Sequence, residues 1–269
     1  MTALRWAMAQ PRMHWTLSGN LAETLATLEA AAAAGAVACV CTELAVTGFH
    51  RQLPALVDAA ALADAEVQLR AACARLGLAA AVGLPTLRPD GAVLNSHLYI
   101  NADGCEVGRV HKRGLTPSEA TFFTPGATRG WTRLAGAWVT SVLCREMLDG
   151  ATLVPALAAA APAGDDPRLI LWPGYIGASD TAAAADCAAY VAGARDLAVA
   201  LGAWVLQSNW PAGLNAPAAR GFGGSVVIDP TGRVTHRLPM DDVALSVVDV
   251  GSRAGQWPAP EPVTASSSP

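Results

Sequence analysis

The first third of the chain alternates short apolar runs with alanine- and leucine-rich segments of helical spacing. The apolar runs at residues 4–10, 37–44 and 78–85 predict three strands, and residues 17–34 and 54–76 predict two helices. Strands that are joined through helices run parallel, and continuously apolar strands are buried on both faces. This order therefore limits the chain to α/β folds.

The pattern then changes to strands that are joined by turns. Residues 93–101 and 105–111 flank Asn101-Ala102-Asp103-Gly104, which is a hairpin signal. Seven further elements are predicted, namely strands at 138–144, 168–173, 203–209, 224–230 and 244–250, and helices around 153–160 and over 180–201. Alternating elements with inserted hairpins predict a layered α/β fold with mixed sheets.

Composition excludes several classes of protein. We find no run of about 20 apolar residues that could span a membrane, and residues 1–10 lack the pattern of a signal peptide. The net charge is −4 without a basic patch, so a nucleic-acid partner is not expected. We therefore expect a cytoplasmic protein, and the charged fraction of only 15% indicates that another subunit covers part of its surface.

The six cysteines are not spaced for disulfides or for a metal. The sequence contains no CxxC pair, and its five histidines are scattered, so no metal site is expected. A chain of this length needs no disulfide staples, and nothing indicates secretion. We interpret five of the cysteines as small buried hydrophobic residues. Cys144 is the exception.

Three apolar strands each lead to a reactive side chain. Glu43 ends the run CVCTE, Lys112 follows GRVH, and Cys144 follows VTSVL. Side chains at strand ends can converge, because the chain leaves the sheet there. Taken singly, each residue has a simpler interpretation, as a cap, a surface cation or core filler.

The three segments together resemble the signature blocks of the nitrilase superfamily, the carbon–nitrogen hydrolases. The block Thr42-Glu43-Leu44-Ala45-Val46-Thr47-Gly48-Phe49 is similar to the family's first block, and His111-Lys112-Arg113-Gly114-Leu115, followed by Glu119 and Phe123-Thr124-Pro125-Gly126, is similar to the second. The block Val142-Leu143-Cys144-Arg145-Glu146 is similar to the cysteine block. The match runs in order from about residue 4 to about residue 250.

The resemblance implies a four-layer α-β-β-α sandwich with two mixed β-sheets, formed by a domain over residues 1–255 and followed by a Pro/Ser-rich C-terminal tail at 256–269. It also implies a homodimer or a higher homo-oligomer. In the implied chemistry Cys144 is the nucleophile, Glu43 the general base and Lys112 the cation that stabilises the oxyanion. Glu119 would orient Lys112, although it could instead pair with Arg113 or Arg129. No cofactor is needed.

The implied substrate is a small linear amide or carbamoyl compound, cleaved at a non-peptide C–N bond through a cysteine thioester. True nitrilases tend to have Trp directly after the cysteine, and here this position is Arg145. Arg145 could bind a substrate carboxylate or pair with Asp149. Trp172 and Tyr175 could form walls of the substrate pocket, or belong to the aromatic core.

Three other interpretations stay open. The chain could be a nitrilase, or an acyltransferase of the same family that passes the acyl group to an amine. It departs from the family blocks at Thr42 and Gly114, where proline and histidine are usual, and it lacks the Phe-Pro-Glu run after the cysteine. A catalytically silent relative that acts as a binding module therefore also remains possible.

Overall fold

The computed structural model describes residues 3–177 and 181–251. The strands are β1 (Leu4–Gln10), β2 (Ala38–Val40), β3 (Ala79–Leu87), β4 (Val93–Ile100), β5 (Glu106–His111), β6 (Thr132–Leu134), β7 (Ala137–Ser141), β8 (Arg168–Gly174), β9 (Trp204–Asn209), β10 (Val226–Ile228), β11 (Val234–Arg237) and β12 (Ala244–Val250). The helices are α1 (Leu17–Ala33), α2 (Leu53–Leu56), α3 (Ala59–Leu76), α4 (Gly150–Ala159) and α5 (Thr181–Leu201).

The strands form two six-stranded mixed sheets that are built alike. The first sheet has the order β12-β1-β2-β3-β4-β5, and the second has the order β11-β10-β9-β8-β7-β6. The neighbours among β1, β2 and β3, and among β7, β8 and β9, pair in parallel, whereas the outer strands of both sheets pair antiparallel. Each sheet thus has three parallel strands at its centre, and the chain leaves these strands at the same edge of the sheet.

Three apolar cores hold four layers together. The inner faces of the sheets pack against each other through side chains such as Trp6 and Met8 from the first sheet and Leu171 and Leu206 from the second. Helices α1 and α3 cover the outer face of the first sheet, and α4 and α5 cover that of the second. The predicted α-β-β-α sandwich is therefore confirmed.

Local sequence sets the helix ends. The Thr16 side chain accepts a hydrogen bond from the Gly19 N–H at 3.1 Å at the start of α1, and Asp58 caps α3 through the Ala61 N–H at 2.9 Å. Gly77 ends α3 in the left-handed conformation with φ 61°. No helix in the described ranges is long and apolar enough to cross a membrane.

Several predicted boundaries are wrong. The strand predicted at 37–44 pairs only over Ala38–Val40, and the strand predicted at 138–144 ends at Ser141. The helix predicted over 54–76 is interrupted before Asp58, because Asp58 caps a new helix. Strands β6 and β11 were not predicted. The tail predicted at 256–269 lies outside the described residues.

Candidate active site

Three loops bring the predicted reactive residues to one end of the sandwich. Glu43 lies in the turn that follows β2, and Lys112 directly follows β5, so both come from the first sheet. Cys144 begins a 3₁₀ turn, Cys144–Leu148, that follows β7 of the second sheet. The nucleophile candidate and the two charged candidates therefore come from opposite sides of the sheet interface.

Lys112 lies between two carboxylates. Its Nζ donates to Glu43 Oε1 at 2.8 Å and to Glu119 Oε1 at 2.6 Å. The side chains of Lys112 and Glu43 are 0% exposed, and that of Glu119 is 3% exposed. Glu119 thus pairs with Lys112 and not with the arginines of the alternative interpretation. A buried cation between two acids keeps a fixed position.

Glu43 is held by partners that the sequence did not identify. Asn95 Nδ2 donates to Glu43 Oε1 at 2.8 Å, and Trp210 Nε1 donates to the Glu43 carbonyl at 2.7 Å. The backbone of this turn also lies close to Gly83 of β3, where an added Cβ would be 2.3 Å from Thr42 O. An asparagine inside the apolar run VLNSHLYI was the available signal, because buried amides need partners.

Cys144 has a strained backbone and a supported carbonyl. Its φ is +51°, a region that residues other than glycine seldom adopt. Trp172 Nε1 donates to the Cys144 carbonyl at 3.1 Å, and Sγ lies 3.9 Å from the Tyr175 carbonyl, to which it donates. Such strain is common at functional sites when neighbouring structure holds it in place.

Burial and neighbouring charges shift the pKa values of Glu43, Lys112 and Cys144. Burial raises the pKa of Glu43, although the Lys112 ammonium opposes this. Burial lowers the pKa of Lys112, but the negative charges of Glu43, Cys144 and Glu119 outweigh it, so the net shift is upward. Burial, together with the negative charge of Glu43, raises the pKa of the Cys144 thiol to about 12, although the Lys112 ammonium opposes this. The resting site therefore holds a neutral thiol beside an ion pair.

A cavity of about 270 Å³ gives access to the sulfur. Its lining residues are Phe49, Thr116, Ser118, Glu119, Cys144, Arg145, Tyr175, Ile176, Gly177, Asp186, Cys187 and Tyr190. The ring of Tyr175 stacks on that of Phe49, with centroids 5.1 Å apart and an interplanar angle of 12°. The cavity lining therefore combines stacked aromatic rings with the Cys144 thiol.

The predicted substrate-binding residues occupy different positions. Tyr175 and Arg145 line the cavity. Trp172 is 0% exposed and belongs to the core beneath α5, so it supports the Cys144 turn and does not face the cavity, contrary to the expectation of a wall residue. Arg145 Nη2 donates to Asp149 Oδ1 at 2.9 Å, the pairing that the sequence left as an alternative. Asp186, Cys187 and Tyr190 were not predicted.

All six cysteines are free thiols. Cys144 and Cys187 line the cavity, whereas Cys39, Cys41 and Cys73 are buried away from it and Cys105 is exposed. Among the described residues no group of three or more His, Cys, Asp or Glu side chains could hold a metal ion. The cavity lining thus includes two thiols and the Glu119 carboxylate, and Glu119 connects the cavity to the buried Lys112 and Glu43.

Comparison with known proteins gives one family and a set of similar folds. The family model described as carbon-nitrogen hydrolase matches residues 5–259. A cysteine-to-serine mutant of an amidase of the nitrilase superfamily from Nesterenkonia AN1 is 22% identical with a TM-score of 0.78, over 93% of this chain and 92% of that chain. A cysteine-to-alanine mutant of that amidase in complex with butyramide has a TM-score of 0.80 at 22% identity, over the same shares of the two chains. No curated protein matches.

Proposed function

Because the chain belongs to the carbon–nitrogen hydrolase family, we propose that it cleaves the C–N bond of a small linear amide through a thioester on Cys144. The observation that carries the proposal is the fully buried Glu43–Lys112–Glu119 network beside a thiol that lines the cavity. The carboxylate can take a proton, the thiol can attack carbon, and the ammonium can stabilise the resulting oxyanion.

The proposed reaction begins with the thiol and the ion pair. Glu43 accepts the proton of Cys144 as the sulfur attacks the amide carbon, so the thiolate never accumulates at its raised pKa. Lys112 stabilises the negative oxygen of the tetrahedral intermediate, and the Arg145 N–H is the second donor. Glu43 then gives its proton to the leaving amine. Water, activated by Glu43, hydrolyses the thioester and releases the acid.

The lining of the cavity favours a substrate with an uncharged acyl group. Its volume of about 270 Å³ suits a small molecule, and Phe49 and Tyr175 supply an aromatic wall. The Arg145 guanidinium is already paired with Asp149, and Asp186 adds a carboxylate to the lining. A substrate carboxylate would therefore gain little from Arg145 and would be repelled by Asp186. We propose neutral aliphatic amides as the substrate class, in preference to carbamoyl amino acids.

A panel assay tests this function. Ammonia release is measured with butyramide, propionamide, glutaramate, N-carbamoylglycine and butyronitrile. We expect release from the two neutral amides, and a loss of at least about 10⁴-fold in Cys144→Ala, because the nucleophile is removed. Cys187→Ala is the matched control, since this second cavity thiol should be dispensable.

The outcomes of the panel separate the alternatives. Release from butyronitrile alone would identify a nitrilase instead. Acyl transfer to hydroxylamine without hydrolysis would identify an acyltransferase. The panel could also give no product from any compound, with Cys144 no more reactive toward iodoacetamide than the exposed Cys105. That result would contradict the hydrolase proposal and favour a catalytically silent relative that acts as a binding module.

We also propose that the protein is a cytoplasmic homodimer. Two large apolar side chains, Leu148 at the end of the 3₁₀ turn and Val199 on α5, are 48% and 56% exposed, and the turn packs against α5. Exposed apolar side chains on this face would be buried by a second subunit. Light scattering of the purified protein measures the mass, and a monomer at micromolar concentration would contradict the dimer.

A further inference from the structure

The carboxylate of Glu146 joins the two loops that carry Lys112 and Cys144. Its Oε2 accepts from the Leu143 N–H at 2.8 Å, and Leu143 is the residue before the cysteine. Its Oε1 accepts from the Arg113 and Gly114 N–H groups at 2.9 and 3.0 Å, directly after the lysine. One side chain is thus bonded to the backbone on both sides of the sheet interface.

The charge of Glu146 is compensated on the side away from the cavity. Arg129 Nη2 lies 2.7 Å from Oε1 and 2.6 Å from Oε2, and the side chains of Arg129 and Glu146 are 4% and 2% exposed. Glu146 is not among the residues that line the cavity, so it touches no reacting atom. Burial raises the pKa of Glu146, but Arg129 outweighs this and the net shift is downward, so the carboxylate stays charged.

Close contact between the loops also depends on Gly114. A Cβ at this position would lie 2.6 Å from Asp149 Oδ2 and 3.0 Å from the Cγ of Glu146. Any side chain would have to displace the carboxylates that follow the cysteine. The absence of a side chain at residue 114, where the family usually has histidine, therefore lets the lysine loop pack directly on the cysteine turn.

We infer that Glu146 is a positioning residue that sets the separation between the Lys112 ammonium and the Cys144 sulfur by bonding the backbone next to each. This role rests on the proposed function, because the separation matters only if both groups act on one substrate. A shift of about 1 Å between reacting groups can cost about 100-fold in rate. Glu146 would thus act on kcat through two other residues.

Kinetics of Glu146→Gln give the first test. The amide presents an N–H group to backbone and guanidinium donors, so one side of the bridge is lost. We expect kcat on butyramide to fall about 100-fold, with KM within about threefold because the cavity lining is unchanged. The matched control is Glu66→Gln, since Glu66 also pairs with an arginine through two bonds of 2.9 Å, on the first sheet away from the site. Equal losses of kcat in the two variants, at equal melting temperatures, would overturn the inference.

Alkylation of Cys144 tests the position of Lys112 relative to the sulfur without a substrate. Iodoacetamide rates at each cysteine are followed by mass spectrometry from pH 7 to pH 10. Lys112 lowers the pKa of Cys144, so its displacement in Glu146→Gln should slow alkylation severalfold at pH 8 while the exposed Cys105 reacts as before. Unchanged alkylation would overturn the positioning role. This readout is valid even if no amide is hydrolysed, so the two proposals fail separately.

The variant Glu146→Asp separates the effect of side-chain length from the effect of the negative charge. Aspartate keeps the negative charge beside Arg129, but its shorter side chain cannot contact the backbone of both loops. We expect Glu146→Asp to lose kcat and alkylation rate nearly as much as Glu146→Gln does. Gly114→Ala should lower kcat in the same way, because it pushes the loops apart. Full activity in Glu146→Asp would show that charge compensation alone matters, and would overturn the bridging role.

Discussion

The half of the site that is built on the first sheet differs from the half on the second in its access to solvent. Glu43 and Lys112 are 0% exposed and are tied to Asn95 and Glu119, whereas Cys144 is partly exposed at the cavity wall. Glu43 and Lys112 are therefore fixed before any substrate enters, whereas Cys144 and Glu119 line the cavity itself. Preorganised charge away from water is the arrangement that best stabilises a developing oxyanion.

The two halves also differ in how their backbones reach position. Leu44, directly after Glu43, has φ +53°, and Cys144 itself has φ +51°. On the first sheet the strained residue is Leu44, the neighbour of Glu43, whose side chain is 0% exposed in an apolar cluster. On the second sheet the strained residue is the nucleophile candidate itself, Cys144. Packing of Leu44 therefore holds the turn that carries Glu43, whereas the strained residue of the second half is the one that lines the cavity.

Removing the Lys112 ammonium, which lies between Glu43 and Glu119, should have the largest effect on activity and stability. In Lys112→Met, Glu43 and Glu119 remain as buried carboxylates without a cation, and only neutral donors such as Asn95 and the Thr116 N–H are left. We expect amide turnover to fall at least about 1000-fold and the free energy of unfolding at pH 7 to fall by about 3 to 5 kcal/mol. Urea denaturation and ammonia release measure the two effects.

The control for this prediction is an exposed ion pair. Arg75 and Glu29 lie 2.8 Å apart with side chains 59% and 54% exposed, so Arg75→Met should cost at most about 1 kcal/mol. Equal losses in the two variants would mean that burial of the Glu43–Lys112–Glu119 network has no special role in stability.

A single methyl group should displace Glu43 while leaving the Cys144 thiol in place. In Gly83→Ala the new Cβ would meet Thr42 O at 2.3 Å and Leu44 N at 2.4 Å, so the Glu43 turn must move. We expect kcat to fall about 10- to 100-fold and stability to fall by about 1 to 3 kcal/mol. Gly130→Ala, where nothing lies within 4 Å, is the control. Normal kcat in Gly83→Ala would show that the turn tolerates movement.

The smallest expected effect concerns a polar contact between the two sheets. His97 on β4 bonds Ser141 Oγ on β7 at 2.6 Å, and Tyr99 bonds the same hydroxyl at 2.7 Å. Burial lowers the pKa of His97 from 6.5 to about 3. The unfolded chain therefore takes up a proton below pH 6.5 that the folded chain refuses until about pH 3, and stability falls as the pH falls through this window.

For His97 this loss amounts to about 2 kcal/mol between pH 7 and pH 5. His97→Gln keeps a polar group for Ser141 and should reduce the pH dependence by that amount, as measured by urea denaturation at both values. An unaltered slope in His97→Gln would show that His97 is not the acid-sensitive contact.

The order of elements was predictable because it depends on local apolar patterns. Strand β1 was predicted with its observed bounds, and the hairpin turn before β5 was recognised from Asn101 to Gly104, whose φ is +81°. The fold itself followed from the resemblance of three blocks. Strands β6 and β11, of three and four residues, were missed because such short edge strands show no alternation.

The strand ends were not predictable, and they are where the site lies. Leu44, Ala45 and Val46 are apolar and buried although they lie beyond β2, so periodicity could not show where strand pairing stops. The contacts of Asn95 and Trp210 with Glu43 join residues 52 and 167 positions apart. Such contacts depend on the packing of the chain. Asn95 within an apolar run indicates that a buried partner exists, but no local pattern identifies that partner as Glu43.

The burial of Lys112 has a consequence for the chemistry of the whole surface. Lys112 is the only lysine in the sequence, and the other 17 basic side chains of the Lys+Arg count are arginines. An acylating reagent that attacks amines therefore finds no lysine at the surface, and the one it could modify is 1% exposed. Acylation at this position requires local opening, so its rate under native conditions reports how often the interior beneath the cavity becomes accessible. The mass shift of the peptide that carries Lys112 would thus record how often this local opening occurs.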